Sequence, residues 1–158
     1  MLIPEMLDIM AQAPPLLRDL IAPIPPEMLK AHRKSGKWCI HEHACHLAVV
    51  QEMVMGRFKK FQAEEHPVFV PYIPGKTVSE GDLMAMDLEA CLDQFEARRE
   101  ELLRFLETFT AAQWQREGTH PEYFQYSAST FLRHIMLHDQ FHMFRIEELW
   151  LTKDEYLA

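Results

Sequence analysis

Six of the nine histidines in this 158-residue chain fall in two short clusters: His41, His43 and His46 in one, and His134, His138 and His142 in the other. Histidines four apart on a helix share a face, with Cβ atoms roughly 5–6 Å apart, so their ring nitrogens can converge on one divalent cation. At this histidine content chance supplies about half of one i, i+4 pair, but only about 0.03 of the i, i+4, i+8 triple at 134, 138 and 142. With Ile135 at zero on a helical wheel of about 100° per residue, His138 falls near −60° and His142 near −20°, inside the stripe of Phe131, Ile146 and Leu149. His134 lies near −100°, at the stripe's edge. An imidazole in an apolar stripe leaves ring nitrogens that cost roughly 1–3 kcal/mol each if unpaired. A metal would pair them in one step.

Two ligands on one helix do not close a metal site, so a third is expected from a facing helix. His46, beside Leu47 on an apolar stripe, is the best placed, with His43 on a similar flank and His41 turned away. The run His41-Glu42 is not the start of a zincin HExxH, because Cys45 stands where the second His would be. His41 and His43 are expected to be solvated or capping groups, and His32, His66 and His120 ordinary loop residues. The competing reading of His138 and His142 is a hydrogen-bonded core pair with Gln51 or Glu52 as partners.

The elements that must position these groups are set off by proline. Ile3, Leu7, Met10, Leu17 and Ile21 mark a first helix from about 3 to 21, which Pro14-Pro15 should interrupt or kink. Ile40, Ala44, Leu47, Val54, Phe58 and Phe61 mark a second from about 40 to 63, broken only at Gln51 and opened by Cys39-x-x-Glu42, a capping box with a weak thiol cap. Three prolines and a Pro-Gly make residues 64–81 a long loop, whose part around Phe69 to Tyr72 would help cover a substrate. A third helix runs from about Asp82 to Glu107 on Leu88, Leu92, Phe95, Leu102 and Leu106. Thr110-x-x-Gln113 caps one short turn, and a fourth helix from Ser127 or Ser129 to Leu151 follows. The fold class is all-α: one antiparallel four-helix bundle domain over 1–158, with the long loop between helices two and three.

Composition narrows the function. The chain is 48% hydrophobic and 25% charged, with 24 acidic against 16 basic residues and a net charge of −8. That balance excludes a general nucleic-acid binder, whose affinity rests on Lys and Arg. No apolar run reaches the 18 or so residues of a membrane span, and no basic n-region precedes one. Three cysteines without a CxxC indicate neither a disulfide framework nor a thiolate zinc cluster. A soluble cytoplasmic protein is expected.

The ordered set Gly36-Lys37-Trp38, Glu42, His46-Leu47, Trp114, His120-Pro121-Glu122-Tyr123 and His138-Asp139-x-x-His142-x-x-x-Ile146 resembles the DinB-like family of four-helix metal proteins, from about residue 15 to 151. The resemblance implies a divalent metal, zinc or nickel first and iron or manganese next, on His46, His138 and His142. It also implies an enzyme acting on a small-molecule substrate with a low-molecular-weight thiol, as an S-transferase or isomerase. A homodimer is a separate expectation, since bundle proteins with apolar outer faces often dimerise. The chain departs from the family pattern at Val49, Val50 and Gln51, where acidic residues are common, with Glu52 one place later. It departs again at Arg145, where Gln is frequent, and at Cys39, where Ser is usual.

Three neutral imidazoles with open positions form a catalytic rather than a structural metal arrangement. Thiol transfer is the first expectation, with Asp139 or Gln140 orienting a ligand ring. The alternatives are a metal-dependent hydrolase and a non-catalytic, metal-stabilised stress-associated dimer.

Overall fold

The computed structural model describes residues 2–71 and 83–157. It is a helical bundle of four long rods: α1 (Ile3–Ile21), the pair α3 (Ile40–Val49) and α4 (Gln51–Ala63), α5 (Leu88–Leu106) and α7 (Ala128–Leu151). Short helices α2 (Pro26–Leu29) and α6 (Ala111–Trp114) and two 3₁₀ turns, Leu83–Ala85 and Asp154–Tyr156, fill the connections. Both α1 and α3 pack on α5 and on α7. The rods therefore run α1, α5, α3–α4, α7 around the bundle, and the chain crosses it diagonally between the first and second rods and between the third and fourth.

Local chemistry sets most of the ends. The side chains of Asp87, Thr110 and Ser127 accept from the backbone N–H groups of Ala90, Gln113 and Thr130 and start α5, α6 and α7. At α3 the strong half of the capping box is the reciprocal one, since Glu42 accepts from the Cys39 backbone N–H at 2.9 Å. The third rod starts at Leu88; Tyr72, Asp82 and the rest of 72–82 lie outside the described residues. The connection before α7 is tied down by backbone bonds of Thr119 to Pro67 and of Phe69 to Thr119. Gly118 is required there, because a Cβ would stand 2.7 Å from the Pro67 carbonyl oxygen.

Two expectations are corrected. Pro14 and Pro15 do not interrupt α1, which continues through both to Ile21. Pro14 has no N–H to give the Met10 carbonyl one turn earlier, and that carbonyl instead accepts from the Arg99 guanidinium at 3.0 Å. The second rod, expected whole from 40 to 63, is broken at Val50. There the Gln51 side-chain amide donates to the Leu47 carbonyl at 2.9 Å, inserting a side chain into the helical bonding ladder.

The same two corrections lead to the centre of the core. Arg99 and Asp139 are each 1% exposed and form an ion pair at 2.7 Å. The Arg99 Nε also donates to the Gln51 carbonyl oxygen at 3.3 Å, and the guanidinium lies 4.9 Å above the Phe95 ring. One polar layer thus joins all four rods. Above and below it lie two apolar clusters, one holding Met10, Val50, Leu102 and Met136, the other Ala13, Ala48, Phe95 and Met143. Every rod passes from one cluster to the other at this layer.

A buried ion pair loses about 3–5 kcal/mol when one partner is removed, because the survivor is left charged without compensation, whereas replacing both with apolar groups is close to neutral. Asp139→Leu is expected to destabilise the chain by about that amount, and adding Arg99→Met to restore most of it. Urea unfolding of the two variants beside wild type measures both; equal midpoints for the single and double variants would refute the coupling.

Candidate metal centre

One turn of α3 and two of α7 bring three rings together. The Nε2 atoms of His46 and His138 are 3.3 Å apart, and those of His142 and His138 are 3.1 Å apart. His46 and His142 are buried, at 3% and 5% exposed, while the His138 side chain is 22% exposed. Two nitrogens bound tetrahedrally at 2.0–2.1 Å to one zinc ion would be separated by about 3.3 Å. The donor set and its spacing fit a divalent cation. Within the described residues no carboxylate joins this group.

The rings are kept neutral by their surroundings. Burial, reinforced by the neighbouring imidazoles, pushes His46 down to about 3 and His142 to about 2. Burial beside Arg145 holds His43 near 4. Trp38, half-buried, packs its ring against His46, His43 and His142 at centroid distances of 4.8, 5.4 and 5.9 Å and shields them on one side.

Asp139 stands behind His138. Its Oδ2 is held by Arg99, whereas its Oδ1 has no hydrogen-bond partner among the described residues, and neither does the buried His138 Nδ1 4.0 Å away. A small turn of the ring would close that gap into the carboxylate–histidine contact that commonly orients a metal ligand. Of the two residues expected in this role, the structure favours Asp139; Gln140 is exposed. Gln51 is bonded to Arg99 and to the backbone, and Glu52 is exposed, so neither partners the histidines.

His41 and His43 are not solvated as expected. His41 is 2% exposed and bonds the Leu83 carbonyl through Nε2 at 3.0 Å. His43 is 7% exposed and sits against His142. Both rings fill space beneath the Gly36–Trp38 segment and the 3₁₀ turn, neighbours that a periodicity reading of α3 alone does not show. His134 is exposed, and its ring lies 6.5 Å from that of His138, apart from the three-nitrogen group. His120 is buried and caps its own loop, accepting the Glu122 N–H at 3.2 Å. His32, Cys39 and Glu42 form a second close group, but Glu42 is committed to capping α3, and the positive end of a helix repels a cation.

The DinB superfamily sequence model matches residues 9–144. The chain belongs to the DinB superfamily. No curated protein matches it. Among solved structures it is similar to YfiT from Bacillus subtilis, described as a probable metal-dependent hydrolase with an unusual four-helix bundle topology. The TM-score is 0.81 and the identity 22%, over 92% of this chain and 83% of that one. That likeness is one of fold: the two chains share a four-helix bundle. Among the described residues no helix is long and apolar enough to cross a membrane.

The neutral rings set the pH response of the metal-free chain. His43, His46 and His142 titrate near 6.5 when unfolded and well below it when folded. On acidification the unfolded chain takes up protons that the folded chain refuses, so stability is complete above pH 6.5 and is lost as the pH falls toward 4. Each proton contributes about 1.4 kcal/mol per pH unit, giving a ceiling of about 4 kcal/mol per unit for three. Urea midpoints should therefore drop steeply between pH 7 and pH 5, and the drop should shrink in His142→Phe; a flat profile would contradict burial of neutral rings.

Proposed function

We propose that this chain is a divalent-metal-dependent enzyme that joins a small-molecule thiol to an electrophile, or isomerises the adduct, at His46, His138 and His142. The observation that carries this reading is the His138 Nε2, which stands 3.3 Å from that of His46 and 3.1 Å from that of His142, with one ring nitrogen of each residue within 4.8 Å of the other two. An ion bound there would supply uncompensated positive charge and open positions to a thiolate or to water.

The chain's own groups are suited to that work. His46 and His142, held neutral by burial, offer lone pairs without first losing a proton. Trp38 excludes water from one side of the three rings. Asp139, fixed by Arg99, is set to hold the proton of His138 on Nδ1, which leaves Nε2 as the donor atom. Beside the cluster, Gly36, Lys37, Trp38, His43, Phe141 and Arg145 line a cleft of about 480 Å³, large enough for a small organic molecule. Its aromatic walls and the Lys37 ammonium suit an anionic, partly apolar compound, the Arg145 guanidinium being paired with Glu148.

Hydrolysis is the second reading, and the likeness to YfiT is what favours it. The two differ in the nucleophile consumed. Protein purified without a His tag is expected to hold about one equivalent of zinc or nickel, and His138→Ala less than about a tenth of that, since three-coordinate protein ligation is lost. The metal-loaded chain should turn over an electrophile such as a chlorinated nitroarene faster with thiols than with water, falling to the His138→Ala background when thiol is omitted. Equal rates with and without thiol would transfer the chain to the hydrolases; equal rates in wild type and His138→Ala would refute both readings.

A further inference from the structure

His43 takes no part in the reaction as proposed, yet it is buried against one of the three rings. Its Nδ1 lies 2.8 Å from the Nδ1 of His142, and the ring centroids are 5.1 Å apart. A contact between two imidazole nitrogens at that distance holds one proton, with one ring donating and the other accepting. Which ring donates follows from the opposite edge of His142. Its Nε2 faces the Nε2 of His138 at 3.1 Å, inside the three-nitrogen group. A neutral imidazole carries a single proton, so His142 can present an Nε2 lone pair only when its proton is on Nδ1. His142 is then the donor and His43 the acceptor, and the proton of His43 is placed on its own Nε2, the ring lining the cleft beside Trp38 and Arg145.

We propose that His43 is a positioning residue that holds His142 in the ring orientation and Nδ1–H tautomer that metal binding requires. The inference rests on the metal reading of the site. It gives the two ligands on α7 different supports, a carboxylate behind His138 and an imidazole behind His142. Charge accounts for the difference. The Asp139 carboxylate is tolerated because Arg99 neutralises it; a second buried carboxylate behind His142 would need a second counter-ion, whereas a neutral imidazole accepts the same hydrogen bond without one.

The test compares wild type with His43→Asn, His43→Gln and His43→Leu. The Oδ1 of Asn can stand where the Nδ1 of His43 stands, the Gln oxygen is displaced by one bond length, and Leu offers no acceptor. Zinc affinity is measured by competition with a chromophoric chelator, and the ring protons of the zinc-loaded chains by long-range ¹H–¹⁵N NMR. Loss of a hydrogen-bond support behind a metal ligand typically costs 10–100-fold in affinity, so Gln and Leu are expected to weaken zinc by that factor and Asn by no more than about threefold. The Nδ1 proton of His142 should exchange slowly in wild type and Asn and rapidly in Gln and Leu. The Asn and Gln variants decide the question even where Leu fails to fold, because both keep a polar group at the site. Asn as weak as Gln, or all chains of equal affinity, would overturn the inference and leave His43 a packing residue. A wild-type chain that takes up no zinc would overturn the metal reading itself.

Discussion

The architecture depends on a guanidinium and a carboxylate placed in the middle of a helical bundle with almost no contact with water. Neither Arg99 nor Asp139 could remain charged there alone. Each is compensated by the other at 2.7 Å, and Arg99 spends further donors on the Met10 carbonyl and the Gln51 amide. The first of these is available because of Pro14: a residue with no N–H leaves the carbonyl four positions earlier without its helical partner. What reads as a defect in α1 supplies an acceptor to α5, and through α5 fixes a carboxylate on α7.

The candidate metal centre is built on this layer rather than beside it. Asp139 and His138 are consecutive, so whatever immobilises the carboxylate also limits where the ring can turn. His142 is one turn further along, in reach of α3 because α3 and α7 pack directly together. The three-ring group therefore takes two histidines from a helix whose position is set by an ion pair, and one from a helix that breaks just after it, where Gln51 enters the same layer. Charge is segregated in the process. The fixed carboxylate is neutralised by Arg99, and the three-histidine group includes no carboxylate, so a bound dication would keep its attraction for an anionic substrate.

Much of this was legible in the sequence, for a physical reason that also explains what was not. Helical periodicity reports which face is buried, and it located the rods and chose His46, His138 and His142. The polar layer was visible as well, as gaps: Gln51 follows Leu47 by four and precedes Val54 by three, Arg99 stands in the same relation to Phe95 and Leu102, and Asp139 to Ile135 and His142. Of these only the gap at Gln51 breaks an otherwise continuous stripe; a charged residue at the other two reads as an ordinary interruption, and no single helix says that its gap faces another. The burial of His43 and His41 is not legible in the sequence, because their covers, Trp38 and the Leu83–Ala85 turn, belong to irregular segments that carry no period. Nor is the continuity of α1 through Pro14, whose cost depends on whether a donor from elsewhere meets the freed carbonyl.

These relations bear on whether an ion here would serve structure or chemistry. In a structural site the protein fills the coordination sphere, and the fold depends on the metal to hold its elements together. Here the four rods are already joined by the Arg99 layer and by two apolar clusters, one on each side of it, none of which includes a metal ligand. His46 rests on Trp38, and His142 is held by its contact with His43, so their rings keep their places without an ion. A bundle that is closed without the ion has no need of it as a staple. The three converging nitrogens, with His138 at the exposed edge, are better accounted for by what they would present to a molecule arriving from outside.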